Sequence, residues 1–138
     1  MHASTELSGR YVALWNEPDA EARRTTVREL WAAEGAQILQ PPREMLEKAH
    51  RVGFTNPVLE ARGHQELEAR VTRAYEEFVA PGQFRFRLSG DAARLREVLK
   101  FRWEMVPTGG GDPVAVGLEF LILDPHGRIR ADYQFIER

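Results

Sequence analysis

The spacing of apolar residues changes near the middle of this sequence, and this change constrains the fold more than any other feature. Up to about residue 80, apolar residues recur every three or four positions, which is typical of amphipathic helices. From residue 84 onward they recur at every second position, which is typical of strands that bury one face. Helices gathered early and strands gathered late predict an α+β architecture.

Two amphipathic helices are predicted at the start of the chain. The first carries an apolar face made of Leu7, Tyr11, Leu14 and Trp15. The Asn16–Asp19 stretch interrupts this pattern, because Pro18 and Asp19 suit the start of a new helix. The second helix carries the stripe Ala20, Val27, Leu30 and Trp31, and we expect Gly35 to end it.

A short strand and a third helix are predicted next. The strand covers residues 36–40 and ends at Pro41–Pro42. Residues 43–62 contain both helical turns and loop signals, the latter strongest at Asn56–Pro57. After Gly63 a third helix is predicted, with a buried face made of Leu67, Val71, Ala74, Tyr75 and Phe78.

Four antiparallel strands are predicted in the second half of the chain. Apolar residues alternate with polar ones at Phe84, Phe86 and Leu88, at Leu99, Phe101, Trp103 and Met105, and at Ile129, Ala131, Tyr133 and Phe135. Residues 114–123 are nearly all apolar, and Glu119 is the one charge among them. We expect a cone-shaped, curved antiparallel sheet packed against three helices from the N-terminal half, as a single domain over residues 1–138. Such a sheet leaves a cavity suited to a small apolar ligand.

Composition excludes several classes of function. The 138 residues contain 19 Lys+Arg against 21 Asp+Glu, so the basic surplus that drives nucleic-acid binding is missing. The absence of cysteine excludes a thiolate nucleophile and a cysteine zinc site. Apolar runs are too short for a membrane span, and the first residues lack a signal-peptide pattern. We therefore expect a cytoplasmic protein that binds neither nucleic acid nor membrane and needs no cofactor.

The four histidines, at positions 2, 50, 64 and 126, do not have the spacing of a metal-binding motif, so no metal site is predicted. His64, at the start of the third helix, and His50 are candidates for the mouth of the cavity, where they would titrate near neutral pH. Placement on the surface is the alternative for both.

Several strings, in their order along the chain, resemble the nuclear transport factor 2 superfamily, which includes ketosteroid isomerase and SnoaL-like polyketide cyclases. The strings are Arg10–Asn16 with Pro18–Asp19, Phe101–Glu104, Val116–Phe120 and Leu123–Ile129. The resemblance covers nearly the whole chain and implies the cone-shaped, cystatin-like fold. Because this fold hosts isomerases, cyclases, dehydratases and non-catalytic binders, it does not specify an activity.

The resemblance to ketosteroid isomerase implies roles for three positions. Tyr11 matches the tyrosine that donates a hydrogen bond to the developing enolate, and Glu119 lies near the second, protonated acid. Gln40 stands where the general-base aspartate is expected, and an amide cannot accept that proton. Steroid isomerisation by that mechanism is therefore not expected. Gln40 is instead predicted to contact a ligand, with a solvent-facing strand end as the alternative.

Glu119 is the most informative residue of the sequence. Its neighbours on the same strand face are small or apolar: Ala115, Gly117, Leu121 and Leu123. A carboxyl there loses contact with water, so its pKa should rise, which suits a general acid. The alternative is an ion pair with Arg102 or Arg87 across the sheet.

These observations predict a pocket for a small apolar organic molecule, with acid/base chemistry of the isomerase, cyclase or hydratase kind on a carbonyl compound. The predicted catalytic residues are Glu119 and Tyr11, and the predicted ligand contacts are Gln40, Trp15, His64 and Trp103. The alternatives are a non-catalytic ligand-binding or dimerisation module and, for Tyr11 and Trp15, ordinary packing on the sheet. A homodimer is expected through the outer sheet face, formed by Val116, Leu118, Phe120 and Ile122.

Overall fold

The helix-first, strand-second order predicted from the sequence is confirmed by the computed structural model, which describes residues 3–41, 43–55 and 58–137. Over these residues the α-helices are α1 (Ala3–Trp15), α2 (Ala20–Leu30), α3 (Arg43–Arg51) and α4 (Gly63–Ala74), the last continued by a π-helical turn at Tyr75–Val79. The strands are β1 (Trp31–Leu39), β2 (Leu59–Arg62), β3 (Phe84–Leu95), β4 (Val98–Pro107), β5 (Ala115–Leu123) and β6 (Ile129–Ile136). His2, Pro42 and the Asn56–Pro57 signal lie outside the described residues.

The strands form one sheet in the order β2-β1-β6-β5-β4-β3. Neighbours from β3 to β6 pair antiparallel, as predicted. The sheet is nevertheless mixed rather than wholly antiparallel, because β6, the last strand, lies parallel to β1. This parallel pairing places Gln37 directly opposite Asp132.

Three helices cover one face of the sheet, as expected. They bury Tyr11 and Leu14 from α1, Val27 and Leu30 from α2, and Leu67 and Val71 from α4. The α2 helix begins after Asp19, whose carboxylate accepts the Ala22 N–H at 3.1 Å and so caps it. No helix in the described part of the chain is long and apolar enough to cross a membrane.

The boundary between α2 and β1 differs from the prediction. The helix ends at Leu30, and Trp31 already has extended backbone angles, φ −99° and ψ 142°. Gly35, expected to end the helix, lies inside β1, where a Cβ would stand 2.7 Å from the Ile129 carbonyl oxygen and 2.8 Å from Trp31 Cδ1. Glycine is needed there because another strand approaches closely, not because a helix stops.

The segment with mixed signals, residues 43–62, contains both α3 and β2. The β2 strand, which the sequence analysis missed, pairs antiparallel with β1 and forms one edge of the sheet. The α3 helix buries none of its residues. A strand of four residues is too short to show an alternation, which explains why this element was missed.

The alternation predicted for β6 does not hold along the whole strand, because Ile129 is buried while the later apolar residues of that alternation face outward. Tyr133 and Phe135 are 42% and 43% exposed, whereas Asp132 is 0% exposed. Leu123 pairs with Ile129 but Ile122 pairs with Ala131, so Arg130 is an extra residue in a β-bulge. A bulge shifts the alternation by one position, and it therefore turns Asp132 rather than Tyr133 toward the helices.

Candidate functional site

A cavity of about 730 Å³ lies between the inner face of the sheet, α1 and α4. Most of its wall is apolar and comes from several elements, including Trp15, Phe78, Phe86, Trp103, Met105 and Ile136. Polar groups that line it include Tyr11, Gln134 and Arg70. The cavity is therefore an apolar chamber with a few polar groups, which is the usual character of a small-molecule site.

Behind this cavity, three fully buried polar residues stand on adjacent strands. Gln37 of β1 pairs with Asp132 of β6, and Glu119 of β5 pairs with Gln134, two residues further along β6. All three of Gln37, Asp132 and Glu119 are 0% exposed. Their side chains share the inner face because they occupy matching positions in the pleat.

Tyr11 connects this polar row to the helical layer. Its hydroxyl donates to Asp132 Oδ2 at 2.5 Å, and Gln37 Nε2 donates to the Tyr11 oxygen at 3.0 Å and to Asp132 Oδ2 at 3.2 Å. The ring also packs edge-on against Phe101, with centroids 5.3 Å apart. Tyr11 is thus held in one orientation by hydrogen bonds and by packing, while part of it lines the cavity.

Glu119 is held by Trp103, whose Nε1 donates to Glu119 Oε1 at 2.8 Å. Trp103 reaches it by lying across Gly117, where a Cβ would stand 2.6 Å from Trp103 Nε1. Gly117 and Trp103 pair directly across β5 and β4. The absence of a side chain at residue 117 is therefore what allows the indole to bind the carboxyl.

The carboxyl groups of Glu119 and Asp132 each have one unsatisfied oxygen. Glu119 Oε2 and Asp132 Oδ1 are buried and have no hydrogen-bond partner in the described part of the protein. Burial and the neighbouring Asp132 raise the pKa of Glu119 well above its usual value. A protonated Glu119 can donate to Asp132, which satisfies both oxygens, and this assigns the neutral form to Glu119.

The same buried surroundings change the pKa values of Tyr11 and Asp132. Burial and Asp132 raise the pKa of Tyr11 well above its usual value, so the phenol stays protonated. Burial also raises the pKa of Asp132, while hydrogen bonds from Glu119, Tyr11 and Gln37 act in the opposite direction. Asp132 is therefore the carboxyl with hydrogen-bond donors available to stabilise a negative charge.

Arg70 approaches this cluster from α4. Its Nη1 donates to the backbone oxygen of Gln37 at 3.1 Å and to Gln37 Oε1 at 3.3 Å. The side chain is half-buried and lines the cavity, and burial lowers the pKa of its guanidinium. Gln37 is thus a bridge, because its amide accepts from Arg70 and donates to Tyr11 and Asp132.

Three of the residues predicted from the sequence line the cavity: Tyr11, Trp15 and Trp103. Glu119 does not line it, since the carboxyl is completely buried behind the Trp103 indole. The alternative of an ion pair with Arg102 or Arg87 is wrong, because Arg102 pairs with Glu137 and Arg87 pairs with Glu104.

Gln40 and His64, predicted as ligand contacts, are not among the residues that line the cavity. Gln40 is exposed, and its Oε1 accepts the Ile136 N–H at 2.8 Å, so the amide ties the end of β1 to β6. His64 Nε2 lies 2.8 Å from the Trp31 carbonyl oxygen and holds the start of α4 against β1. His50 is exposed and lies 3.2 Å from the Thr55 carbonyl oxygen.

The sequence analysis missed Asp132, Gln37, Arg70 and Gln134. Asp132 is a single acid among apolar residues of β6, which is a usable signal, but the alternation assigned it to the solvent face. Gln37 lies three positions before the glutamine that was chosen. Over residues 3–41, 43–55 and 58–137 no group of three or more acidic or histidine side chains is arranged to hold a metal ion.

Comparison with solved structures finds several proteins with a similar fold. A suggested isomerase of the SnoaL-like family from Agrobacterium tumefaciens superposes with a TM-score of 0.77 and 25% identity, over 99% of this chain and 100% of that one. A SnoaL-like protein of unknown function from Burkholderia thailandensis gives 0.66 and 13%, over 100% and 98% of the two chains. Bal32a, from a soil-derived mobile gene cassette, gives 0.66 and 15%, over 97% and 88%.

No protein-family model matches the sequence, and no curated protein matches it either. The two relatives at 13% and 15% identity support the fold alone. The first relative extends over the full length of both chains and shares a quarter of its residues with this one. These structural matches confirm the resemblance seen in the sequence, and the chain belongs to the superfamily of nuclear transport factor 2-like and SnoaL-like proteins.

Proposed function

We propose that this chain binds a small, largely apolar organic molecule in the cavity. The observation that carries the proposal is a chamber of about 730 Å³ whose apolar walls end on a hydrogen-bonded polar cluster. Pockets for small molecules usually have volumes of about 300–1,000 Å³ and this mixture of surfaces. Trp15 and Trp103 line the chamber without filling it, which favours binding over a purely structural role.

Filling the cavity tests this proposal. Ala115 lines the chamber, so Ala115→Phe should abolish the thermal stabilisation that small ketones, lactones and aromatic acids give to the unmodified protein. Ala93→Phe, on an exposed position of β3, is the matched control and should retain that stabilisation. Equal stabilisation of both variants would place the ligand elsewhere, and no stabilisation of the unmodified protein by any compound would contradict the proposal.

Acid/base chemistry on the bound molecule is the more specific candidate. Tyr11 lines the chamber, its proton already points at Asp132, and one acceptor position on its oxygen remains. A water at this position can take a proton from the carbon next to a ligand carbonyl while it gives one of its own to Tyr11, and Tyr11 passes its proton to Asp132. The ligand then becomes an enolate and Asp132 becomes a carboxylic acid. In this scheme Tyr11 is the catalytic residue, and Asp132 and Glu119 are positioning residues behind it. The Agrobacterium relative is a suggested isomerase, which favours proton transfer.

Exchange of carbon-bound protons in D₂O, followed by NMR on ketones that bind, measures this chemistry without a known substrate. Tyr11→Phe should slow protein-dependent exchange by about a hundredfold or more, the usual contribution of a general acid or base. Tyr133→Phe, on the exposed face of β6, should leave the rate unchanged. Binding of ketones without exchange above the buffer rate would leave the alternative, a non-catalytic binding protein.

We also propose that two copies pair through the outer face of the sheet. This face contains half-buried Leu118 and Phe120 next to Phe135, which is 43% exposed, and Phe120 and Phe135 pack edge-to-face at 5.8 Å. A twofold pairing covers the same patch on both copies. Phe120→Lys should convert a dimer into a monomer in light scattering, whereas Leu95→Lys, at the 78% exposed end of β3, should not. A monomeric unmodified protein would refute this proposal.

A cytoplasmic location, a single domain over residues 1–138 and the lack of a cofactor stay predictions from the sequence.

A further inference from the structure

We infer that the ligand carries a carboxylate and that Arg70 binds it inside the cavity. This inference rests on the proposed small-molecule function and goes further, because it names the class of ligand. It starts from a cationic side chain that lines a largely apolar chamber and has unused hydrogen-bond donors.

The hydrogen bonds of Arg70 leave most of its donors unused. A guanidinium has five N–H groups, and only Nη1 of Arg70 donates within the described part of the protein, to the two oxygens of Gln37. Both contacts are to neutral oxygens. The free side of the guanidinium is therefore available to a planar acceptor such as a carboxylate, which such a fork binds through two parallel hydrogen bonds.

Arg70 also differs from the arginines that have a carboxylate partner. Arginines in ion pairs, such as Arg10, Arg24, Arg62 and Arg87, have side chains that are 46–58% exposed. Arg70 is half-buried, and among the described residues no carboxylate lies within 4.0 Å of it. A buried charge without a partner is costly, and burial lowers the pKa of this guanidinium accordingly. An anionic ligand removes that cost.

Other charged groups offset this cost only in part: the charges of Asp132 and Glu66 act to raise the pKa of Arg70, but neither carboxylate lies within 4.0 Å of its guanidinium. Glu60, Glu66 and Glu77 line its outer part and are exposed, so water screens them. Asp132 is separated from Arg70 by the Gln37 side chain, which accepts from one and donates to the other. The cavity side of Arg70 therefore offers a partly desolvated cation with unused donors to a ligand anion.

Gln134, which lines the same cavity as Arg70, strengthens the case for a carboxylate. Its side chain lines the cavity and forms no side-chain hydrogen bond in the described residues. It stands on the inner face of β6, paired with Leu39 on one side and with Glu119 on the other. An amide donor and a guanidinium in an apolar chamber suit one compact anion attached to an apolar body, rather than a polyphosphate that needs several cations.

Paired acids and amides test the inference directly. The probes are 2-naphthoate and 4-biphenylcarboxylate with their primary amides, which keep the shape and remove the charge, titrated by calorimetry near neutral pH. Each acid should bind the unmodified protein about tenfold to a hundredfold more tightly than its amide, as charge-assisted hydrogen bonds imply. In Arg70→Gln this preference should disappear, with amide affinity unchanged.

Arg73→Gln is the matched control, because Arg73 lies one turn further along α4, lines the same cavity and is exposed. It should retain the preference for acids. Equal affinity for acids and amides, or equal loss of preference in both variants, would overturn the inference while leaving the proposed function intact. Failure of all four probes to bind would overturn both. Since each variant is judged by its own acid-to-amide ratio, a general loss of folding cannot imitate the expected result.

Discussion

Gly117→Ala tests the arrangement that holds Glu119. The φ of Gly117 lies outside the left-handed region, so alanine meets no backbone strain there. The cost comes only from contact, because the new Cβ would stand 2.6 Å from Trp103 Nε1 and closer still to two carbons of the ring. Trp103 lines the cavity, so the indole can leave Gly117 only by moving toward the chamber, which breaks its hydrogen bond to Glu119 and disturbs its edge-on contact with Phe86 at 5.5 Å.

The magnitude follows from two effects. An extra methyl in a tight contact costs about 1–3 kcal/mol, and the open chamber beside Trp103 places this cost near the lower end. Displacing the indole also breaks the 2.8 Å hydrogen bond to Glu119, and an unsatisfied buried polar group costs about 1–3 kcal/mol. We expect Gly117→Ala to lower the free energy of unfolding by about 3 kcal/mol once these effects combine.

Urea unfolding monitored by circular dichroism measures this loss. Gly9→Ala is the matched control, because an added Cβ at Gly9 meets nothing within 4 Å and the residue lies inside α1. There alanine should raise the free energy of unfolding by about 0.5–1 kcal/mol, through its higher helix propensity. The same substitution should therefore have opposite signs at the two positions.

The Trp103→Phe background separates contact from other causes. Phenylalanine lacks the indole nitrogen and is smaller, so Gly117→Ala should cost less than about 1 kcal/mol in that background. Such non-additivity is expected only for residues in contact. An unchanged cost in the Trp103→Phe background, or a cost below about 0.5 kcal/mol in the unmodified protein, would refute the role assigned to Gly117.

Two further predictions concern the buried cluster. Because the folded-state pKa of Glu119 lies above its ordinary value of 4.5, its contribution to stability is full below that value and is lost as pH rises through the folded-state pKa. As pH rises above 4.5, Glu119→Gln should therefore gain in free energy of unfolding relative to the unmodified protein, and exposed Glu34→Gln should not. Parallel curves would contradict a neutral Glu119. Tyr11→Phe should cost about 1–3 kcal/mol in urea unfolding, because Asp132 loses its 2.5 Å donor. Tyr133→Phe should change the free energy of unfolding by no more than about 0.5 kcal/mol. An equal loss in Tyr11→Phe and Tyr133→Phe would contradict a stabilising role for the hydrogen bond between Tyr11 and Asp132.

The face of β5 that carries Glu119 was predictable from the sequence. The strand has no bulge between Ala115 and Ile122, so alternation places Gly117, Glu119 and Leu121 inward, and these are buried. The same reasoning placed Tyr11 and Leu14 on the buried face of α1. Periodicity succeeded at these positions because local backbone geometry alone sets which side chains share a face.

Asp132 was not predictable in the same way. An extra residue at Arg130 reverses the alternation between Ile129 and Asp132, and nothing in the local composition marks it. The bulge depends on how β6 pairs with β1 on one side and β5 on the other, which are contacts between distant parts of the chain. A sequence pattern with period two cannot report a register that such pairings decide.

Gln37 and Arg70 were also missed because their roles depend on contacts between distant parts of the chain. Gln37 is an interior residue because β1 pairs with β2 on one side and with β6 on the other, which places Gln37 opposite Asp132. Arg70 resembles any solvated charge on an amphipathic helix, and only the packing of α4 beside β1 brings it to Gln37. Both residues acquire their roles from neighbours far away in sequence.

The sequence by itself determined the helix-first, strand-second arrangement, the α+β class, the inward face of β5 and the isolation of one carboxyl in an apolar strand. These features depend on the spacing of apolar residues and on local conformational preferences, both of which are set by residues close together in the sequence. Only the tertiary structure decided which polar groups meet: a second carboxyl beside Glu119, a tyrosine that binds it, and a guanidinium that lines the cavity. Such meetings depend on strand order, on a bulge and on helix packing, because hydrogen bonds between distant residues form only when the whole fold places their atoms a few ångströms apart.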